Sequence, residues 1–141
     1  YNVSKGDVVL ITSNSGRNAY PIEMALEAKS KGAYVIAVTS KNHSDSVTSR
    51  HKSGKKLIDI ADLVIDNCGV VGDCILQVPG LHEKMCPTSS MANAFIAQSI
   101  NVACAKYLIE NNCEVPVFAS LNCDGNEDHN EAYFNKYTRM Y

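Results

Sequence analysis

Three apolar runs of similar length occur in the first half of the chain, and each ends in small polar residues. They are GDVVLITS (6–13), AYVIAVTS (33–40) and ADLVIDN (61–67), and each contains β-branched residues. Uninterrupted apolar runs of this kind are typical of strands buried on both faces of a parallel sheet. A fourth run, VPVFAS (115–120), predicts one further strand.

The segments between these runs show helical spacing. In YPIEMALEAKSKG, Pro21 suits the first turn of a helix and Gly32 suits its C-terminal cap. The longest helix is predicted over 88–112, where apolar residues recur every three or four positions. The remaining predictions are a Ser-rich loop (41–56), a short helix (56–61), an irregular stretch (68–87) with one short strand near Ile75–Val78, and a last helix from near Glu127.

Alternation of strands and helices predicts an α/β fold with a doubly wound parallel sheet. In such folds, ligands bind outside the carboxyl ends of the strands. The 141 residues correspond to a single domain over 1–141. Because the chain opens on Tyr1 rather than Met and reaches a strand at once, we expect it to be the C-terminal portion of a longer chain.

Composition and charge narrow the range of partners. The formal net charge is −2, without a basic run that would indicate nucleic acid or an anionic membrane. No apolar stretch approaches the roughly 20 residues of a membrane helix. The six cysteines form no C-x-x-C pair and predict free thiols that behave as small hydrophobes in a reducing cytoplasm: Cys68, Cys74, Cys86, Cys104, Cys113 and Cys123. Their spacing, including that of Cys68, Cys74 and His82, favours no metal site.

The polar stretch after the first predicted strand leads directly into the first predicted helix. Such a position offers free backbone N–H groups and the positive end of the helix dipole, and Gly16 allows a close approach of the backbone. Hydroxyl donors and one cation complete a candidate phosphate site, formed by Ser13, Asn14, Ser15, Gly16, Arg17 and Asn18. The alternative is that Ser and Asn only cap the helix. A P-loop Lys and a dinucleotide fingerprint are both absent from the loop, so no nucleotide cofactor is expected.

A second hydroxyl cluster precedes the longest predicted helix. It consists of Thr88, Ser89 and Ser90. Two hydroxyl-rich helix starts that follow neighbouring strands can face one pocket, which favours an anion site over capping alone.

Three segments together resemble the sugar isomerase (SIS) domain family, which binds phosphosugars. They are VVLITSNSGRNAYPIEMALEAKSKGAYVIAVTS, LIDIADLVIDN and PTSSMANAFIAQSINVACAKYLIE, in the order expected for the family. The ending VFASLNCDGNEDHNEAYFNKY resembles a bacterial subgroup of SIS proteins described as phosphoheptose isomerases.

The resemblance implies an SIS-type, flavodoxin-like three-layer sandwich with a five-stranded sheet, usually dimeric. It implies that the loop 13–18 holds the phosphate of a sugar and that no cofactor is needed. Ser89 or Ser90 matches a second serine-rich position on the ligand side, and Thr39 and Ser40 end the strand where the family often touches the sugar. A complete SIS domain carries a further strand and helices before the first residue of this chain.

The residues also depart from the isomerases of this family. Their general-base Glu comes from the preceding part, and their His lies on the long helix, where this chain has Gln98 and Ser99. An aldose–ketose isomerase needs both a base and an acid. The candidates that remain for catalysis are His129 and His51.

Two classes of function therefore remain open. One is a phosphosugar isomerase or a related sugar-phosphate enzyme, expected to be a cytoplasmic homodimer or higher homo-oligomer. The other is a non-catalytic phosphosugar-sensing module of a regulator. A structural subunit with a vestigial site is a third interpretation, and it predicts no ligand effect.

Overall fold

The fold is described from a computed structural model that covers residues 2–137. Residue 1 and residues 138–141, which the domain predicted over 1–141 includes, lie outside the described residues. The chain forms two compact units, the first extending to Gln98 and the second beginning at Ser99. The elements are β1 (Val8–Thr12), α1 (Ala19–Ser30), β2 (Tyr34–Thr39), α2 (Lys41–Asp45), a 3₁₀ turn (Leu57–Asp59), β3 (Leu63–Asp66), β4 (Cys74–Leu76), β5 (Met85–Pro87), α3 (Thr88–Glu110) and α4 (Glu127–Tyr137).

The first unit is built on a parallel sheet of strand order β1-β2-β3. Val9 lies opposite Val35, and Ala37 lies between Ile11 of β1 and Val64 of β3. The α/β class with a parallel sheet is confirmed, as are the three strands predicted in the first half of the chain. All three strands end at the same edge of the sheet, which brings the polar residues after them together.

Helix α1 packs on one face of this sheet through small side chains. Ala25 and Ala28 are buried against Val35 and Ala37, and Leu57 of the 3₁₀ turn completes this core without any exposed surface. Alanines let a helix lie close to a sheet, so the two elements fix where the loop between β1 and α1 runs. Within the described residues, the apolar side chains Val8, Leu10 and Leu63 of the sheet are exposed.

Several expectations about secondary structure are wrong in informative ways. Residues 115–120 form no strand; Pro116 has no N–H to give to a ladder. The sequence predicted one short strand in the segment 68–87. The structure has two there, β4 and β5, which pair as an antiparallel hairpin. The predicted loop 41–56 begins with the short helix α2, capped by Ser40, whose hydroxyl accepts the N–H of His43.

In the second unit the end of α3 is followed by an extended segment and α4, which begins at Glu127 as predicted. The amide of Asn130 accepts the N–H of Ala119 at 2.8 Å and donates to its carbonyl oxygen at 2.9 Å. A side chain thus supplies Ala119 with the hydrogen bonds that a neighbouring strand would give.

Two further expectations from the sequence concern the state of the cysteines and the lack of a membrane helix. All six cysteines are free, as predicted, yet five are exposed and Cys74 is only partly buried, so they do not fill the core. Of the helices in residues 2–137, none combines the length and the apolar character that crossing a bilayer requires.

We expect Leu57→Ala to lower the free energy of unfolding by about 2–5 kcal/mol, because it removes a fully buried side chain and leaves a cavity. Urea unfolding followed by circular dichroism measures this change. Leu81→Ala is the matched control, since Leu81 is 50% exposed and its truncation should cost less than about 1 kcal/mol. Equal losses in the two variants would contradict the assigned core.

Candidate functional site

The candidate site lies where the three parallel strands end. The loop 13–18 leaves β1, Thr39 and Ser40 close β2, and the turn 67–69 leaves β3. The N-terminus of α3 joins them from the same unit. The structure thus brings together polar residues that are far apart in the chain.

The loop 13–18 is anchored to the end of β2 by three hydrogen bonds. The carbonyl oxygen of Asn14 accepts the Thr39 hydroxyl and the Ser40 N–H, both at 3.0 Å, and the Ser13 N–H donates to the Val38 carbonyl at 3.0 Å. The side chains of Thr39 and Ser40 are completely buried, and the Ser40 hydroxyl also donates to the Gly69 carbonyl at 2.7 Å. These two hydroxyls therefore hold the loops that form the site.

Gly16 allows the loop to turn beneath the 3₁₀ turn. Its φ is +60°, and a Cβ there would lie 3.2 Å from the Cβ of Leu57. The Gly16 carbonyl accepts the Leu57 N–H at 2.8 Å, so glycine satisfies both the conformation and the close packing. The loop is consequently fixed at both ends.

The loop and the start of α1 present donors without acceptors. Asn18 is the N-cap residue of α1 but makes no side-chain capping bond. Within residues 2–137, the hydroxyls of Ser13 and Ser15 have no hydrogen-bond partner, nor do the backbone N–H groups of Asn14, Ser15, Arg17 and Asn18. The capping alternative is therefore not what this loop does, and the uncapped helix end is an arrangement suited to an anion.

A partly buried amide network orients Asn14. The Gly69 N–H donates to Asn67 Oδ1 at 2.9 Å, which fixes the Asn67 amide, and Asn67 Nδ2 donates to Asn14 Oδ1 at 3.0 Å and to Asn93 Oδ1 at 2.8 Å. Asn14 must then turn its own Nδ2 away from Asn67. That nitrogen is buried and has no partner in the described part of the chain. Buried donors usually find an acceptor, so this one is available to a ligand.

Two guanidinium groups lie at the same loop. The Nε of Arg17 is buried without a partner. Arg50 donates its N–H to the Arg17 carbonyl at 2.8 Å and its Nη1 to Asn18 Oδ1 at 3.3 Å. Neither arginine pairs with a carboxylate of the described residues. The loop therefore carries positive charge that no carboxylate of residues 2–137 pairs with.

The start of α3 is arranged differently, because an internal carboxylate occupies it. Asp73 Oδ1 accepts the Thr88 hydroxyl at 3.0 Å and the Ser89 N–H at 2.9 Å, while Oδ2 accepts the Ser89 hydroxyl at 2.6 Å. Burial raises the pKa of Asp73, but the hydrogen bonds from Ser89 and Thr88, helped by nearby His43, outweigh it and hold the pKa below its ordinary value. Ser90 is exposed. The two hydroxyls predicted to meet a ligand are thus bonded to Asp73.

Gly69 lies at the centre of these groups. A Cβ on it would lie 3.0 Å from Asn67 Oδ1, 3.2 Å from Thr88 Oγ1 and 3.3 Å from Asn14 Oδ1. The loop after β1, the turn after β3 and the start of α3 therefore meet around one glycine.

Comparison with known proteins agrees with this geometry. Residues 1–40 match the SIS domain family. This match covers β1, the loop 13–18, α1 and β2, together with the residues that anchor the loop.

Several bacterial relatives align over nearly the whole chain. The UPF0309 protein of Halalkalibacterium halodurans is 45% identical over 99% of this chain and 57% of its own length. The UPF0309 proteins of Shouchella clausii and Geobacillus thermodenitrificans are 46% and 43% identical over 96% of this chain and 55% of their own lengths. The chain spans about half the length of these relatives.

The two histidines predicted for catalysis in an SIS enzyme are both engaged. His51 is 7% exposed, with Nε2 bonded to Glu23 Oε1 at 2.8 Å and Nδ1 to the Ser53 hydroxyl at 2.7 Å. The hydrogen bond between His51 and Glu23 is the main reason that the pKa of Glu23 lies below its ordinary value. In the second unit, His129 Nε2 donates to the Val117 carbonyl at 2.9 Å.

Sequence reasoning did not identify five residues of the candidate site: Arg50, Asn67, Gly69, Asp73 and Asn93. Asn67 ends a predicted strand, and an amide there was a usable signal for a residue at the ligand edge. Arg50 lies in a Ser-rich loop and Asp73 in a turn, where no local pattern distinguishes them from solvated charges. Only the fold brings these two residues to the site.

We expect Gly69→Ala to destabilise the protein by about 1–3 kcal/mol, since its Cβ would overlap the amide network around Asn67. In nuclear magnetic resonance spectra, the side-chain amide signals of Asn14, Asn67 and Asn93 should shift. Gly54→Ala is the control, because it meets nothing within 4 Å and strains only a left-handed backbone of φ +72°. Unmoved amide signals in Gly69→Ala would contradict the network.

Proposed function

We propose that this chain supplies a phosphosugar-binding site in which the loop 13–18 and the N-terminus of α1 hold the phosphate. The observation that carries the proposal is the set of unpaired donors there, combined with two arginines that have no carboxylate partner in residues 2–137. The match of residues 1–40 to the SIS family supports it.

A phosphate monoester suits these donors chemically. Its oxygens can accept hydrogen bonds from several backbone N–H groups at once, while Ser13 and Ser15 add hydroxyls. Arg17 and Arg50 balance the charge, and a guanidinium is well matched to phosphate geometry. Binding would also give Asn14 Nδ2 and Arg17 Nε the acceptors that they lack.

Thr39 and Ser40 have a positioning role in this proposal, because their buried hydroxyls fix the loop. The partly buried amide of Asn93 and the region around Gly69 are left for the sugar. Ligand contact by Thr88 and Ser89 would be shared with Asp73, to which both already donate.

The more specific proposal is that the bound phosphosugar is also isomerised. Aldose–ketose isomerisation of a phosphosugar, the phosphoheptose kind included, moves a proton between carbon atoms and needs a base and an acid. His129 retains Nδ1 as a basic nitrogen, because its Nε2 must carry the proton that faces the Val117 carbonyl. His51 uses both nitrogens internally, so its role would be to position Glu23. The sensing-module alternative requires binding only.

Two attributes of the whole protein are part of the same proposal. We expect a homodimer or higher homo-oligomer, with a cytoplasmic location. Analytical ultracentrifugation of the full-length protein tests the first, and fluorescence microscopy of a tagged protein tests the second.

Replacing Ser13 and Ser15 by Ala should weaken phosphosugar binding about ten- to hundredfold per residue, because each hydroxyl would donate to a charged acceptor. Isothermal titration calorimetry of the full-length protein with inorganic phosphate and with hexose and heptose phosphates measures this. Ser30→Ala is the matched control, as the Ser30 hydroxyl bonds the Glu27 carbonyl within α1. Unchanged affinity in both loop variants, or no binding of any phosphate compound by the wild type, would refute the proposed site.

Turnover separates an enzyme from a sensor. With the phosphosugar that binds best, His129→Gln should lower kcat at least about a hundredfold while the Kd remains the same, as for loss of a general acid or base. An assay of aldose–ketose interconversion measures the rate. Binding without detectable turnover in the wild type would favour the sensing module, and an unchanged rate in the variant would exclude His129 from catalysis.

A further inference from the structure

We propose that Asp73 makes this site selective for sugars with a single anionic group, because it fills the N-terminus of α3 with a carboxylate of the protein itself. The inference rests on the proposed function, since it takes the phosphate to lie at the loop 13–18. It adds that the part of the ligand away from this phosphate must carry no second anionic group.

The contacts of Asp73 use up the donors at the start of α3. Both of its oxygens are engaged, by the Thr88 hydroxyl, the Ser89 N–H and the Ser89 hydroxyl, at 2.6 to 3.0 Å. The Thr88 N–H donates to the Asp73 carbonyl at 2.9 Å. A ligand anion would therefore have to displace a carboxylate that is already bonded, and would meet its charge.

Asp73 is also held in place by its own turn. The Asp73 N–H donates to the Val70 carbonyl at 3.0 Å, and both Gly72 and Asp73 have left-handed backbones, with φ of +81° and +69°. The Gly72 N–H donates to His43 Nδ1 at 3.0 Å, which ties the turn to α2. The carboxylate is thus an ordered part of the site.

The loop 13–18 and the Thr88 hydroxyl that binds Asp73 both adjoin Gly69. Thr88 Oγ1, which donates to Asp73, and Asn14 Oδ1, which belongs to the loop, are both within 3.3 Å of the point that a Cβ on Gly69 would occupy. Arg17 and Arg50 lie at the loop, whereas Thr88 binds a carboxylate. A sugar anchored by its phosphate at the loop therefore has this negative charge close to it.

This division of charge determines which ligands suit the site. A neutral hydroxyl can donate a hydrogen bond towards Asp73 Oδ2, which accepts the Ser89 hydroxyl and has a further lone pair for a second donor. A second phosphate would be repelled there, because like charges at short range in a partly buried site interact strongly. Monophosphates should bind and bisphosphates of the same sugar should be rejected.

The test compares each sugar monophosphate with its bisphosphate by isothermal titration calorimetry on the full-length protein. The pairs are glucose 6-phosphate and glucose 1,6-bisphosphate, fructose 6-phosphate and fructose 1,6-bisphosphate, and sedoheptulose 7-phosphate and sedoheptulose 1,7-bisphosphate. We expect the wild type to prefer the monophosphate at least tenfold, and Asp73→Asn to reduce that preference to threefold or less. Asp45→Asn, which removes the same charge from α2, should keep the wild-type preference.

The outcomes are separable. Equal binding of both members of each pair by the wild type, or an unchanged preference in Asp73→Asn, overturns this inference and leaves the phosphate loop standing. Failure of inorganic phosphate and every sugar phosphate to bind the wild type overturns the proposed function as well. Should Asp73→Asn not fold, the wild-type preference must still fall as NaCl is raised from 0.05 to 0.5 M; a preference independent of salt overturns the inference.

Discussion

The carboxamide of Asn67 is the interaction on which the candidate site depends. It is buried at the end of β3 and hydrogen-bonds the loop after β1 through Asn14, α3 through Asn93 and its own turn through Gly69. Because its oxygen is committed to the Gly69 N–H, its nitrogen must serve the two other amides. A buried amide of this kind is costly to leave unsatisfied, so the three elements are held in one arrangement.

That arrangement leaves the donors of the loop 13–18 unused. Elsewhere in the first unit, helix ends are satisfied by side chains: Ser40 caps α2, and Asp73 occupies the start of α3. The start of α1 differs, since its N-cap residue Asn18 makes no capping bond and accepts from Arg50 instead. The loop cannot relieve its unpaired donors by moving, because Thr39, Ser40 and Leu57 hold its backbone. These donors are open to an acceptor from outside residues 2–137.

Charge is distributed unevenly across the same small region. The two described arginines lie at the loop without carboxylate partners among the described residues, whereas the carboxylate of Asp73 lies at the start of α3, where its donors hold its pKa below the ordinary value. The fold thus places unpaired positive charge at the loop 13–18 and negative charge at the start of α3. The starts of α1 and α3 look equivalent as sequence patterns. They differ in the structure, because the start of α1 has no side-chain cap whereas Asp73 accepts the donors at the start of α3.

The sequence by itself determined the α/β class, the three parallel strands, the long helix and the polar loop 13–18, because each follows from local periodicity or from polar residues directly after an apolar run. It could not determine the absence of a strand at 115–120, where Asn130 supplies the hydrogen bonds of Ala119. It also could not distinguish the hydroxyls of Ser13 and Ser15 from those of Thr88 and Ser89. The latter are occupied by Asp73, some 15 residues earlier in the chain. Only the tertiary structure decided this, because a hydrogen-bond partner distant in sequence leaves no periodic signal.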